Sequence, residues 1–411
     1  MSRYSDAFIR EIPKTDLHVH LDGSLRLGSL IEMAKSGGVT LPSYTETGLR
    51  ELLFKDSYAD LVEYLKGFAY TCDVLRDLDN LERAAYELAE DNIAEGVFYI
   101  EPRFAPQLLM DNRSLTMERI LQAVDKGLRR AKAEFNARPE VREGRLPPFD
   151  YGIIACAMRM FGPKGFSPYY DEFFALHRYS EPNDVMRLAA AELARAVVAI
   201  RDDLGIPVVG FDIAGQEAGY PAGNFREAFD YAHKNFMHKT VHAGEAYGAE
   251  SIFQAITDLH ADRLGHGYFL FDIDRIADPS IEDRLRYTES LASFIADQRV
   301  TIEVCLTSNL QTNPRLKDLR KHTLGKMLER RLSVTLCTDN RLVSNTTVSK
   351  EIRLALDSFD ISPDVLKNMI VYGFKRSFYP GPYAEKRNYV RQLITYYETV
   401  AAKHGIGDKR K

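Results

Sequence analysis

Eight short β-rich runs separated by helix-period stretches constrain the fold of this 411-residue chain more than any other feature. The runs cover 16–21, 97–105, 151–158, 207–214, 240–243, 263–266, 301–306 and 333–338. Between them, residues 81–94, 117–134, 185–204 and 290–297 show helical periodicity. Most of the β runs are almost continuously apolar, as strands buried on both faces must be. Strand and helix in alternation imply parallel strands with crossover helices. Eight such units are what a closed (β/α)8 barrel of the TIM type requires. A doubly wound, two-domain arrangement is the alternative. It is weakened because no G-x-G-x-x-G follows the first run and no G-x-x-x-x-G-K-[ST] occurs anywhere. The expectation is therefore one barrel domain over residues 1–411.

Three regions exceed a minimal barrel. Residues 27–78 are too long for one crossover and predict several helices. Residues 136–184, rich in Pro, Arg and aromatic side chains, predict loops extended at both ends of the third strand. The stretch from Ser362 adds helices, with a helical period over 384–403.

A net charge of −5 gives no reason to expect nucleic-acid binding. The basic run at 408–411 reads as a solvated end. Cys72, Cys156, Cys305 and Cys337 lack C-x-x-C spacing, and three lie in apolar strand-like runs where a buried thiol is the default. No signal peptide opens the chain and no apolar run reaches membrane-spanning length, so the expected compartment is the cytoplasm.

Barrel enzymes carry their chemistry at the carboxyl ends of the strands. Here those ends hold His18, His20 and Asp22, then Asp212 and Gly215, His242 and Glu245, His266, and finally Asp339 and Asn340. His18 and His20 stand at i and i+2 on a strand, so both imidazoles leave the same face. Paired imidazoles suit zinc and not magnesium or calcium. His18, His20, His242 and Asp339 have the composition of an open catalytic zinc site. Glu245 follows His242 across Gly244, a residue that permits a sharp turn, and suits proton shuttling beside a metal. His266 is a candidate to steer the attacking water. Gly215 either admits a flat ligand to the backbone or simply makes a turn. For His177, His233, His238, His260, His322 and His404, surface or capping roles are expected.

Six stretches in order make the chain resemble the adenosine deaminase family of the amidohydrolase superfamily. They are 14–24 (KTDLHVHLDGS), 210–215 (GFDIAG), 242–245 (HAGE), 263–267 (RLGHG), 303–309 (EVCLTSN) and 337–340 (CTDN). The resemblance implies one zinc per chain, held by His18, His20, His242 and Asp339. It implies that Glu245 protonates purine N1 while His266 and Asp339 steer hydroxide toward C6. It further implies that Asp22 accepts the ribose 5′-hydroxyl and that the Gly215 backbone donates to N3. The stretch 52–68 resembles the family's helical lid, with Leu61, Leu65 and Phe68 on one face. Their reading as pocket lining or as core packing stays open. Where the most familiar members carry a second aspartate, this chain has Asn340, whose amide can donate to purine N7. The region 136–184 is longer than a minimal deaminase needs, and reads as a determinant of substrate choice, an oligomer contact or an inert elaboration.

The expected activity is zinc-dependent hydrolysis of adenosine or 2′-deoxyadenosine to the inosine compound and ammonia. The expected partner is thus a small purine nucleoside, with no nucleic acid or membrane. Oligomeric state is not legible. Free adenine, 6-aminodeoxyfutalosine or a modified nucleoside are the alternative substrates. A zinc amide or phosphoester hydrolase and a silent nucleoside-binding protein are the competing classes.

Overall fold

The computed structural model describes residues 3–111 and 113–406, so the basic run at 408–411 lies outside the described residues. Its centre is a ring of parallel strands: β1 (Lys14–His20), β2 (Val97–Phe104), β3 (Asp150–Tyr151), β4 (Ile153–Met158), β5 (Val208–Ala214), β6 (His238–Ala243), β7 (Arg263–His266), β8 (Thr301–Val304) and β9 (Ser333–Leu336). β3 and β4 are two pieces of one barrel position, broken at Gly152, and both pair with β2. The order β1-β2-β4-β5-β6-β7-β8-β9 follows the chain, as right-handed β-α-β units dictate. Closure occurs at Val19↔Asp339, where the His20 amide donates to the Asp339 carbonyl (2.7 Å) and the Asp339 amide to the His18 carbonyl (2.8 Å). The expected (β/α)8 barrel is thus observed. All of β1 and β2 is buried, which accounts for their apolar runs.

Local chemistry sets the helices. Asp60 caps Leu61–Leu75 and Asp77 caps Leu78–Ala94, each accepting a first-turn amide. Pro182 opens Pro182–Leu204, and Gly205, left-handed at φ 64°, ends it. Region 27–78 forms helices Leu27–Gly37, Glu46–Leu52 and Leu61–Leu75 before the next begins, as expected. Region 136–184 differs from its expectation as plain loops. Ser167 and Pro168 nucleate a helix, Pro168–Leu176, whose Tyr170 and Phe174 rings pack on Phe161, just beyond β4. At the end of the chain, Pro363–Arg376 and Tyr383–Lys403 are helical. Among the described residues no helix is long and apolar enough to cross a membrane. All four cysteines are free and buried, Cys72 included.

The barrel interior is not purely apolar. Arg103, Arg263, Glu101, Asp212 and Glu303 are all fully buried within it. Buried charges persist only when paired and hydrogen-bonded. Arg103 donates to Asp212 and Glu303 (2.8 Å each), and Arg263 donates to Glu303 (2.6 Å) and to Glu101.

Candidate active site

The carboxyl ends of β1, β6, β7 and the segment after β9 converge on one buried cluster. Ligand atoms of His18, His20, His242 and Asp339 lie within 4.8 Å of one another. His20 Nε2 is 3.3 Å from His242 Nε2, and Asp339 Oδ1 is 3.4 Å from His18 Nε2 and 3.5 Å from His20 Nε2. Asp339 reaches this point because its backbone closes the barrel between His18 and His20, at a left-handed φ of 60°. Such strained φ values in residues other than glycine gather at functional sites, and His266 (φ 64°) is another.

Two of the rings are oriented from behind. His18 Nδ1 is 2.9 Å from Glu303, and His242 Nδ1 is 2.8 Å from Asp212. Glu303 accepts a hydrogen bond from His18 Nδ1, which leaves the His18 Nε2 lone pair facing the cluster, and the Asp212 carboxylate stands beside His242 Nδ1. Carboxylates so placed orient metal-binding imidazoles. His18 Nε2 is buried with no hydrogen-bond partner. An orphaned lone pair beside a carboxylate and two further imidazoles fits a divalent cation. Burial alone would raise the Glu303 carboxyl, but the Arg103 and Arg263 guanidiniums hold it well below the usual range. Gly265 makes room: a Cβ there would stand 3.0 Å from His18 Cε1 and 3.2 Å from the His242 backbone.

The cluster forms the floor of a cavity of about 720 Å³. Asp22, Gly215, Glu245, His266 and Asn340 all line it with His20, His242 and Asp339. Gly244 (φ 76°) and Gly215 (φ 95°) make the turns that end β6 and β5. Glu245 Oε1 lies 3.9 Å from His266 Nε2. Burial, followed by the Asp339 charge, pushes the Glu245 carboxyl up to about 7, so a protonated fraction persists near neutral pH. Burial also lifts Asp22 to about 7 and presses His266 down to about 4. Asn340 donates to the Tyr64 hydroxyl (2.8 Å), which leaves a second amide hydrogen.

The expected site residues are thus brought together, but the residues that hold them have no role in the sequence reading: Asp212 is named only as a strand-end group, Glu303 stands in a motif, and Arg103 and Glu217 are not singled out. Asp212, Glu303 and Arg103 sit in otherwise apolar strands, and a charge in such a run was the available signal. Glu217 accepts four successive amides, Gly244 to Tyr247 (2.5–3.0 Å), and the Ser251 hydroxyl (2.7 Å), which pins the loop carrying Glu245. Of the histidines expected in surface or capping roles, His322 is not at the surface, though it does cap: its Nδ1 accepts the N–H of Leu324, the first residue of the helix Leu324–Glu329. It is 2% exposed, and its ring is hydrogen-bonded on both nitrogens. The other five of that group are at least partly exposed.

The cavity wall resolves the reading of 52–68. Leu61, Leu65 and Phe68, on the helix Leu61–Leu75, line the cavity with Cys72. Region 136–184 contributes Met158, Met160, Phe166, Pro168 and Asp171.

A family model described as "Adenosine deaminase" matches residues 13–181 and 183–396. The chain is 35% identical to "Adenosine deaminase 1" of Streptomyces coelicolor over 374 residues, 90% of this chain and 84% of that relative. Among solved structures, it resembles an amidohydrolase from Burkholderia ambifaria with bound Zn (TM-score 0.76, 18% identity, 99% and 96% of the two chains). It also resembles the apo N6-methyl-AMP deaminase of Arabidopsis thaliana (TM-score 0.71, 24% identity, 97% and 100%). At these identities, the structural likenesses bear on the fold.

Proposed function

Since the chain belongs to the adenosine deaminase family, and so to the hydrolytic deaminases, we propose that it converts adenosine or 2′-deoxyadenosine into the inosine compound and ammonia. One observation carries this reading: four ligand atoms converge beside Glu245 and His266 in a single cavity that Asp22 also lines. His18, His20, His242 and Asp339 would hold one zinc. Bound there, zinc lowers the pKa of a coordinated water to about 7 and so supplies hydroxide near neutral pH.

The chain's own residues do the rest. Glu245, whose acid form burial favours, gives its proton to purine N1. That draws electrons from C6 and opens it to addition of water's oxygen. The Glu245 carboxylate so formed takes the proton of the added hydroxyl and passes it to the amino nitrogen. The C6–N bond breaks, ammonia leaves and a 6-oxopurine remains; the proton that water gave up on becoming hydroxide restores the acid. His266 steers the attacking oxygen, with Asp339 on its other side. The Gly215 amide meets N3, and the spare amide hydrogen of Asn340 meets N7. Asp22 accepts the ribose 5′-hydroxyl. A 5′-phosphate there would meet the buried Asp22 carboxyl, which would have to stay protonated against a second negative charge, and this favours nucleosides over the 5′-monophosphates that the name of the Arabidopsis protein indicates for that enzyme.

The test is a panel of adenosine, 2′-deoxyadenosine, AMP, adenine and 5′-extended adenosines, followed by absorbance and ammonia release on zinc-loaded protein. Adenosine or 2′-deoxyadenosine is expected to show the highest kcat/KM. Preference for AMP, or no turnover of any aminopurine, overturns the reading.

A further inference from the structure

A chain of three buried side chains runs away from His266. The backbone N–H of Leu324 donates to His322 Nδ1 (2.9 Å). A ring nitrogen that accepts a hydrogen bond carries no proton, so the proton of His322 is on Nε2. That nitrogen lies 3.1 Å from Asn309 Oδ1. The Asn309 amide nitrogen in turn lies 3.2 Å from His266 Nδ1. His266, Asn309 and His322 are 1–2% exposed, and the Tyr268 ring packs against His322 at 5.0 Å. All three side chains are closed off from bulk solvent.

The direction of this chain is set at its far end. A main-chain N–H is always a donor, unlike an imidazole nitrogen or an amide of either orientation. Turning the Asn309 amide over would place its NH2 against the Nε2–H of His322, two donors facing each other in a buried site. The amide nitrogen must therefore face His266, and His266 Nδ1 must accept from it.

We propose that His322 and Asn309 are positioning residues that lock His266 in one neutral tautomer, with Nδ1 bare and the proton on Nε2, so that His266 serves the reaction as a hydrogen-bond donor and not as a base. Nε2 is the nitrogen on the Glu245 side, 3.9 Å from Oε1. From there its N–H can be offered to the oxygen that adds to C6. Protonating His266 would put an N–H against the Asn309 NH2, so the cation is disfavoured by the same contacts. The role in chemistry rests on the deaminase reading; the tautomer does not.

Two-bond 1H–15N NMR of histidine-labelled, zinc-loaded protein reads the tautomer directly, with the His266 signals assigned by their loss in His266→Asn. The expected spectrum has an unprotonated Nδ1 and a protonated Nε2 at both His266 and His322. Asn309→Asp replaces the donor with an acceptor and should move the His266 proton to Nδ1. It should lower kcat by roughly 100-fold or more, with zinc content unchanged and KM changed only a few-fold. His322→Gln, which keeps a donor toward Asn309, should retain the tautomer and most of kcat. A protonated Nδ1 on His266 in the unmodified protein overturns the proposal. So does an Asn309→Asp protein that keeps the original tautomer and rate. If the spectrum is as expected but no aminopurine is turned over, the deaminase reading fails and the relay stands.

Discussion

The floor and the wall of the cavity are built by different means. On the floor, His18, His242 and His266 project from strand ends, and each has a named partner behind it: Glu303, Asp212 and Asn309. Directions there are set by the sheet and by short polar contacts. The wall, made by the helix Leu61–Leu75 and by Phe166 and Pro168, is largely apolar, and its contacts are non-directional. Reaction chemistry needs fixed angles and tuned protons, which the floor provides. Selection among substrates needs shape, which inserted helices supply without disturbing the strands.

The contrast can be broken most sharply at Glu245. Glu245→Gln removes the proton but not the shape, and should lower kcat by roughly 10²–10⁴-fold with zinc retained, as read by steady-state kinetics and metal analysis. Next comes the support beneath the floor. Asp212→Asn should weaken zinc binding by about 10–100-fold in chelator competition, although Asp212 is not itself a ligand. At the border, Asn340 faces the cavity while bonded to Tyr64 on the wall helix. Asn340→Ala should cost about 1–3 kcal/mol in kcat/KM, an effect that should vanish on a 7-deaza substrate. A penalty undiminished with that substrate would remove N7 from the account. The wall itself should give the smallest response. Phe68→Ala should raise KM by roughly 10-fold, on the order of the burial of one ring, and leave kcat within about 2-fold. A collapse of kcat in Phe68→Ala would show that the division between floor and wall is false.

Much of the floor was legible because its residues fall at the ends of strand-like runs, a position the alternation alone reveals. The residues behind it were harder to assign. Asp212 and Glu303 lie inside quoted motifs, yet nothing local says which imidazole each will meet: Glu303 and His18 are 285 residues apart. The burial of His322 was not foreseen because it stands in a polar context, between Lys321 and Thr323, that resembles surface. Its burial depends on Asn309 and Tyr268 arriving from elsewhere. Leu61, Leu65 and Phe68 stayed ambiguous because an apolar helical face is the same pattern whether it covers a core or a cavity.

What the order of residues determined by itself was the parallel barrel and the set of chemical groups on its rim. Both follow from local periodicity, since strand and helix periods are properties of neighbouring residues. The tertiary structure alone decided that Asp339 stitches the barrel shut between His18 and His20, which lone pairs face the cluster, and which helix encloses the cavity. Those are matters of distance and direction between remote segments, and hydrogen bonds between them exist only once the ring has closed.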